Sequence, residues 1–578
     1  MAKNVAHQII SILEEAGIKR IYAVTGDSLN HLNIAVRNSK NIDWIHVRHE
    51  EAGAYAAAAE AELDGFACCA GSSGPGHVHL INGAYEAQRS HLPMLVIAST
   101  IGTNEMGLDY FQATDTMKLF DDCSVYNQLI TRPEQVERIV HTAIQHAFAK
   151  KGVAVVGLPG DISEMGAVST GQTLKAFRTR PIIRPADDEL TALASLVNAH
   201  QKIMIFCGIG ASEARQQVVA LARKLNAPVG YSFRGKMAIQ PNNPFEVGMT
   251  GLLGQAAAYH AMHEADLLLL LGTDFPYEAF MPTKNTIVQI DEAPEHLGRR
   301  ARLEMGLCGD VKDTIEALLP LLDMKDDAGF LQQQLLRYTK VKEQNHIYID
   351  DNGSEDNIQP EYLTHVIDKA TSHDAIYTVD TGMVCVWGAR FITATGDRKM
   401  LGSFNHGSMA NAMPMAIGAA LAYPERQVIA MCGDGGLSMM MGDLATIQQY
   451  QLPITIIVYN NRSLGMVKLE MLVEGMEDNE TDMLNPDFAL IAQAMGFPGE
   501  NIHQPEDVPL AVQRALAHRG PYLLNVFTNP NALAMPPKVE LEQMVGMAKS
   551  MGKLMLSGKI GEVMDTVKSN IKHLKEKL

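Results

Sequence analysis

The chain has 578 residues, more than a single hydrophobic core accommodates, so it divides into several domains. Its 47% hydrophobic and 20% charged residues exclude a largely disordered or fibrous chain. Lys and Arg number 48 against 66 Asp and Glu, a net charge of -18 that argues against nucleic-acid binding and makes any contact with anionic lipid a local matter.

In chain order, the N-terminal run MAKNVAHQIISILEEAG reads as a charged amphipathic helix rather than a leader, and no apolar stretch reaches the roughly 18 residues of a membrane span. The seven cysteines make no CxxC pair or ligand spacing. Both readings lead to a cytoplasmic protein. Short apolar runs closed by turn residues then recur: IYAVTGDS, FACCAGSSGPG, MLVIAST, VAVVGLPGD, KIMIFCGIG, LLLLLGTDF, TIVQIDEAP, QVIAMCGDGG and ITIIVYNN. Alternating with helical patterns, they predict parallel α/β layers whose strands are buried on both faces. Polar stretches at 169–187 and 344–359 read as linkers, giving expected domains 1–165, 185–335 and 357–530 and a tail 531–578.

Gly433-Asp434-Gly435 follows the run QVIAM, and Asn460-Asn461 follows ITIIV after 24 intervening residues, 436–459. At the ends of neighbouring parallel strands, Asp434 and an Asn side chain can offer oxygens to one octahedral Mg²⁺ bridging a diphosphate. The glycines admit the diphosphate to the backbone, and a helix expected from about Leu437 adds amide donors. A GDG alone is usually a turn; the spaced Asn pair makes it a cofactor motif. The glycine-rich turn Gly71-Ser72-Ser73-Gly74-Pro75-Gly76 and the middle-domain Gly208-Ile209-Gly210 are weak signals by themselves.

Together, the GDG and Asn-Asn elements, Arg48-His49-Glu50-Glu51-Ala52 and the GxxGPG turn resemble the thiamine-diphosphate decarboxylase, acetolactate synthase and pyruvate oxidase superfamily. The run Gly402-Ser403-Phe404-Asn405-His406-Gly407-Ser408-Met409-Ala410-Asn411-Ala412-Met413-Pro414, with TGDSLN, YFQxT, SFRGK, VGMTGLxG and FPYxAF, is similar to bacterial quinone-dependent pyruvate dehydrogenases over nearly the whole chain.

That resemblance implies three doubly wound parallel-sheet domains that bind pyrimidine, FAD and diphosphate in turn, plus a helical C-terminal tail. It implies metal ligation by Asp434, Asn461 and Ser463. The thiamine diphosphate would also meet Gly407, Ser408, Met409, Gly435, Gly436, Arg462, Leu464, Gly465 and Met466. Met409 would be the bulky residue beneath the cofactor, and Glu50 the carboxylate on its aminopyrimidine. Phe111, Gln112 and Glu470 keep the family's active-site pattern. FAD would lie along Gly210, Arg234, Gly251, Leu252, Leu253, Gly254, Asp274, Phe275, Pro276, Tyr277, Glu278 and Asp291. Three positions depart from the pattern: Glu278 stands for a basic residue, Thr381 for a small aliphatic one, and Met466 for an aromatic.

The implied reaction is oxidative decarboxylation of pyruvate to acetate and CO₂, with electrons passed through FAD to a membrane quinone. The alternatives are a phosphate-dependent pyruvate oxidase making acetyl phosphate and hydrogen peroxide, or an acetolactate synthase. A homotetramer is expected, with thiamine between the first domain of one chain and the third of another. In the tail, Ile560, Val563, Met564, Val567, Ile571, Leu574 and Leu578 fall on one helical stripe beside an excess of lysines. With the resemblance, this predicts contact with anionic lipid at the inner face of the cell membrane.

Overall fold

The computed structural model describes residues 4–169 and 175–534 and, beyond them, Lys549, Ser550, Met551, Lys553 and Thr566. The apolar stripe expected from Ile560 to Leu578 lies outside the described residues.

The apolar runs become strands of three parallel six-stranded sheets that follow one another along the chain. The first contains β1 (Arg20–Ala23), β2 (Asp43–His46), β3 (Ala67–Gly71), β4 (Met94–Thr100), β5 (Tyr126–Leu129) and β6 (Val153–Pro159), in the order β2-β1-β3-β4-β6-β5. The second contains β7 (Ile203–Cys207), β8 (Val229–Tyr231), β9 (Glu246–Met249), β10 (Leu267–Leu271), β11 (Thr286–Asp291) and β12 (Met305–Cys308), in the order β12-β11-β10-β7-β8-β9. A small hairpin, β13 (Gly353–Ser354) and β14 (Asn357–Ile358), precedes the third sheet. That sheet contains β15 (Ile376–Val379), β16 (Lys399–Gly402), β17 (Val428–Gly433), β18 (Ile454–Asn460), β19 (Gly499–Ile502) and β20 (Tyr522–Phe527), in the order β16-β15-β17-β18-β20-β19. Every residue of β4, β10 and β18 is buried, as helices on both faces of a parallel sheet require.

The first and third sheets have the same strand order, each counted from its own first strand. The expected linker 344–359 is in part helical: Gly329–Asp350 is one helix that buries Leu331, Gln334, Val341 and Tyr348. Those contacts recur at about every seventh residue, a stripe narrow enough to leave the helix polar overall. The helix after β17 begins at Asp434, ahead of the expected Leu437, so the carboxylate stands at the helix head.

The first and third domains share one core. The alanine-rich helix Glu50–Asp64 packs on Ala412–Ala422, and small side chains let the backbones meet. A Cβ placed on Gly418 would come 2.0 Å from the carbonyl oxygen of Ala56. All seven cysteines are free, six of them buried. Among the described residues no helix is long and apolar enough to cross a membrane.

Gly418→Ala is expected to push these helices apart and cost about 1–3 kcal/mol, the usual range for overpacking a tight core. Denaturant unfolding checks this; an unchanged midpoint would contradict the close approach.

Candidate active site

In the third sheet the strand order reverses between β15 and β17, opening a crevice at their carboxyl ends, where ligands of doubly wound sheets bind. Asp380 follows β15 on one side, and Asp434 heads the helix Asp434–Met440 on the other. Both are buried.

Asp434 Oδ1 accepts from the Gly435 amide at 2.9 Å, and its Oδ2 from the Arg462 amide and Asn485 Nδ2, each at 2.7 Å. The Arg462 amide reaches it because that residue turns left-handed, with φ 56°. Its guanidinium points away, donating to the carbonyl oxygen of Asp356 at 3.0 Å. Asn461 Oδ1 accepts from the Ser463 amide at 3.0 Å, closing the loop over Asp434. Among the described residues the buried Ser463 Oγ has no partner. Burial pushes the Asp434 carboxyl above its usual range, while Asn485 and the amides of Gly435 and Arg462 pull it back. A buried carboxylate held, among the described residues, by neutral donors alone, beside an unspent hydroxyl and an Asn side chain, fits a hard cation with oxygen ligands.

Gly436 has no room for a side chain, since a Cβ there would lie 1.8 Å from Asp380 Oδ2. A Cβ on Gly435 would meet Leu464, Met483 and the Met409 methyl, the last at 3.2 Å. Gly407 and Met409 line the crevice, as do Leu464, Gly465, Met466 and the exposed Glu470 on the helix Gly465–Val473. Ser408 does not line it: its hydroxyl meets Tyr55 and Asn82 of the first domain.

Read from β9, the middle sheet runs 3-2-1-4-5-6, the doubly wound dinucleotide-binding order, and its switch point falls between β7 and β10. Glycines let the two loops touch there, since a Cβ on Gly210 would lie 2.8 Å from Gly272 Cα. Gly210, Arg234, Leu252, Leu253 and Asp291 line this crevice, together with Asp274-Phe275-Pro276-Tyr277. Asp274 pairs with Arg299 and Arg300. Asp291 Oδ1 accepts from the Ala293 amide at 3.0 Å, and burial raises its pKa. The buried Thr250 Oγ1 has no partner among the described residues. An extended space with glycine loops, a cation and an acidic strand end fits a dinucleotide such as FAD. Gly251 and Gly254 shape the turn carrying Leu252 and Leu253 without lining the space, and exposed Glu278 stands outside it. The middle and third crevices open into one cleft of about 2630 Å³.

Glu50, Phe111 and Gln112 lie outside that cleft. Glu50 begins its helix, 8% exposed, with Oε2 lying 2.9 Å from His79 Nδ1. Gln112, left-handed at φ 61°, accepts from Ser73 Oγ at 2.9 Å and backs onto Gly74 of the glycine-rich turn. Phe111 is 78% exposed, an apolar side chain left facing outward.

Asn485 and Asp380 carry no local motif in the sequence, and His79, three residues beyond Gly76 of the glycine-rich turn, carries none that sets it apart from a core histidine. Among the described tail residues, Ser550 Oγ donates to the carbonyl oxygens of Leu472 and Met476, and Lys553 Nζ to that of Gly475, at the end of the helix carrying Glu470.

The fold and the site define a doubly wound α/β enzyme with a cofactor crevice at its strand ends. The chain belongs to the thiamine pyrophosphate enzyme family: it matches the N-terminal TPP binding domain over residues 3–119, the central domain over 190–318, and the C-terminal TPP binding domain over 380–526. It is 33% identical to the putative thiamine pyrophosphate-containing protein YdaP of Bacillus subtilis, over 99% of this chain and 100% of that one. It is 30% identical to a pyruvate oxidase of Lactiplantibacillus plantarum, over 89% and 87% of the two chains. Identity to a probable acetolactate synthase large subunit of Methanocaldococcus jannaschii is 29%, over 92% and 93%.

Burial raises the Asp380 carboxyl to about 7, opposed by the amides of Ala412, Gly433, Asn411 and Ala410. The folded protein therefore holds this proton more tightly than the unfolded chain, and stability is lost as pH rises from 3.8 to about 7. Asp380→Asn is expected to remove that loss, so its stability relative to wild type climbs across the window by at most about 1.4 kcal/mol per pH unit. Denaturation of the apoprotein at several pH values checks this; a constant difference would contradict it.

Proposed function

We propose that this protein oxidatively decarboxylates pyruvate to acetate and CO₂ and delivers the electrons through FAD to a membrane quinone. The observation that carries the reading is the cleft shared by the Asp434 crevice and the middle-domain crevice, because two cofactors bound there would lie along one continuous space. The relative named a pyruvate oxidase supports the substrate.

Asp434, Asn461 and the Ser463 carbonyl would hold Mg²⁺ and through it a diphosphate, with Gly435 and Gly436 keeping the backbone open to it. When bound, thiamine diphosphate supplies the nucleophilic carbon and electron sink that a 2-keto acid needs to lose CO₂, and FAD takes up the electron pair. Glu50 would receive the aminopyrimidine on a carboxyl that His79 orients. Because Glu50 stands outside the cleft of its own chain, the thiamine it serves would lie against another copy, with Glu50 of the partner subunit completing this chain's site. Phe111 would wall the acyl pocket, Gln112 would orient the substrate and Glu470 would manage a proton.

The chain would be a homotetramer of such pairs in the cytoplasm, its tail meeting anionic lipid at the membrane. Ser550, anchored at the end of the Gly465–Val473 helix, gives the tail a physical link to the site.

The test is anaerobic addition of pyruvate to protein loaded with thiamine diphosphate, Mg²⁺ and FAD. The flavin should bleach and acetate form without phosphate, and Glu50→Gln should keep FAD yet slow the bleaching on the order of 10²–10⁴-fold. Acetolactate or acetyl phosphate as the main product, or flavin left oxidised, would overturn the reading.

A further inference from the structure

The loop Ser403–Met409 carries Gly407 and Met409 into the cleft without regular secondary structure of its own. Its polar side chains are spent on the first domain of the same chain. Asn405 Nδ2 donates to the carbonyl oxygen of Arg89 at 3.0 Å, and His406 stacks on Tyr85 with its Nε2 2.8 Å from Asn82 Oδ1.

Beneath the loop lies Glu86, buried on the helix Ile81–Arg89 and lining no part of the cleft. Its carboxylate accepts from Ser90 Oγ at 2.7 Å and from Ser403 Oγ. Ser403 Oγ then accepts from the Ser408 amide at 2.8 Å, while the Ser403 carbonyl accepts from the Gly407 amide at 2.8 Å. The Gly407 and Ser408 amides are thus consumed in fixing the loop's shape. Met409 follows directly, with its methyl over Gly435 beside Asp434. A buried carboxylate costs desolvation that an apolar side chain of similar volume would not, so stability does not explain the acid at position 86. Burial does raise its pKa, with Ser403, Ser90, His406 and Arg234 pulling it back.

We propose that Glu86 is a positioning residue for the cofactor: through Ser403 it sets the Ser408 amide and hence the place of Met409 in the diphosphate half of its own chain's site. The first domain then has two separate duties, since the neighbouring helix presents Glu50 outside that cleft. The inference rests on thiamine diphosphate binding in the Asp434 crevice.

The test is calorimetric titration of the full-length apoprotein with thiamine diphosphate in excess Mg²⁺, alongside thermal unfolding of each apoprotein. Glu86→Leu and Ser403→Ala should each weaken binding about tenfold, the loss of roughly 1.4 kcal/mol. Their double variant should lose no more than Ser403→Ala alone, because both act along one path. Glu86→Gln keeps an acceptor for the Ser403 hydroxyl and should stay within about threefold of wild type, a rescue that packing alone would not produce. Apoprotein melting temperatures should not follow the affinities. Binding within about twofold of wild type in both Glu86→Leu and Ser403→Ala, or losses that add and track melting temperature, would overturn the proposal. Wild-type apoprotein that takes up no thiamine diphosphate would overturn both the proposal and the reading beneath it.

Discussion

A carboxylate buried at the head of a helix, held among the described residues by neutral donors, is the constraint around which the third domain is built. Burial drives the Asp434 pKa upward, and neutral amides and Asn485 hold the side chain in place without discharging it. Asp380 faces the same helix head from the end of β15, adding a second acid to one crevice. Two acids in a space of low dielectric favour an incoming cation. The missing side chain at Gly436 makes room for Asp380, and the one at Gly435 lets Met409, Leu464 and Met483 close in on the backbone. The left-handed turn at Arg462 and the loop through Asn461 and Ser463 are local consequences of closing a wall around that charge.

The rest of the molecule places the group around Glu50 and a second crevice about the first. The shared strand order of the first and third sheets makes them structural counterparts, and their helices Glu50–Asp64 and Ala412–Ala422 lie against each other through small residues. At the first domain's own switch point, between β1 and β3, Ser28 and Ser72 bond across the crevice at 2.9 Å. The domain presents Glu50 and Phe111 instead on a face outside the cleft. The middle sheet turns its switch point toward the Asp434 crevice, so one cleft serves both.

Much of this was legible in the sequence, for physical reasons. Runs such as MLVIAST and LLLLLG read as strands covered on both sides because they are short, mostly apolar and closed by turn residues. The acid and the asparagines of the third domain were legible because they sit at the ends of adjacent strands, where chain direction fixes their neighbourhood. Asn485 was not, since it reaches Asp434 from a distant loop. Nor was the inward role of Glu86, because a burial-dependent partnership leaves no periodic trace. The helix Gly329–Asp350 escaped notice because its buried stripe is too narrow to mark the pattern. The repeated strand order is a property of topology, to which side-chain identity is almost indifferent.

If the thiamine site is shared between chains, two different lesions can be separated by reassortment. Glu50→Gln damages the half that a chain lends, and Asp434→Ala the half that it keeps. The decisive measurement is the pyruvate-dependent flavin reduction of the two variants, each nearly inactive alone, after they are unfolded or dissociated together and reassembled in equal amounts. Random pairing restores one intact site in each mixed dimer, so about a quarter of wild-type activity should return, as symmetric pairing dictates. Activity that stays at the level of the separate variants, while sedimentation or mass analysis demonstrates mixed assemblies, would contradict the shared site.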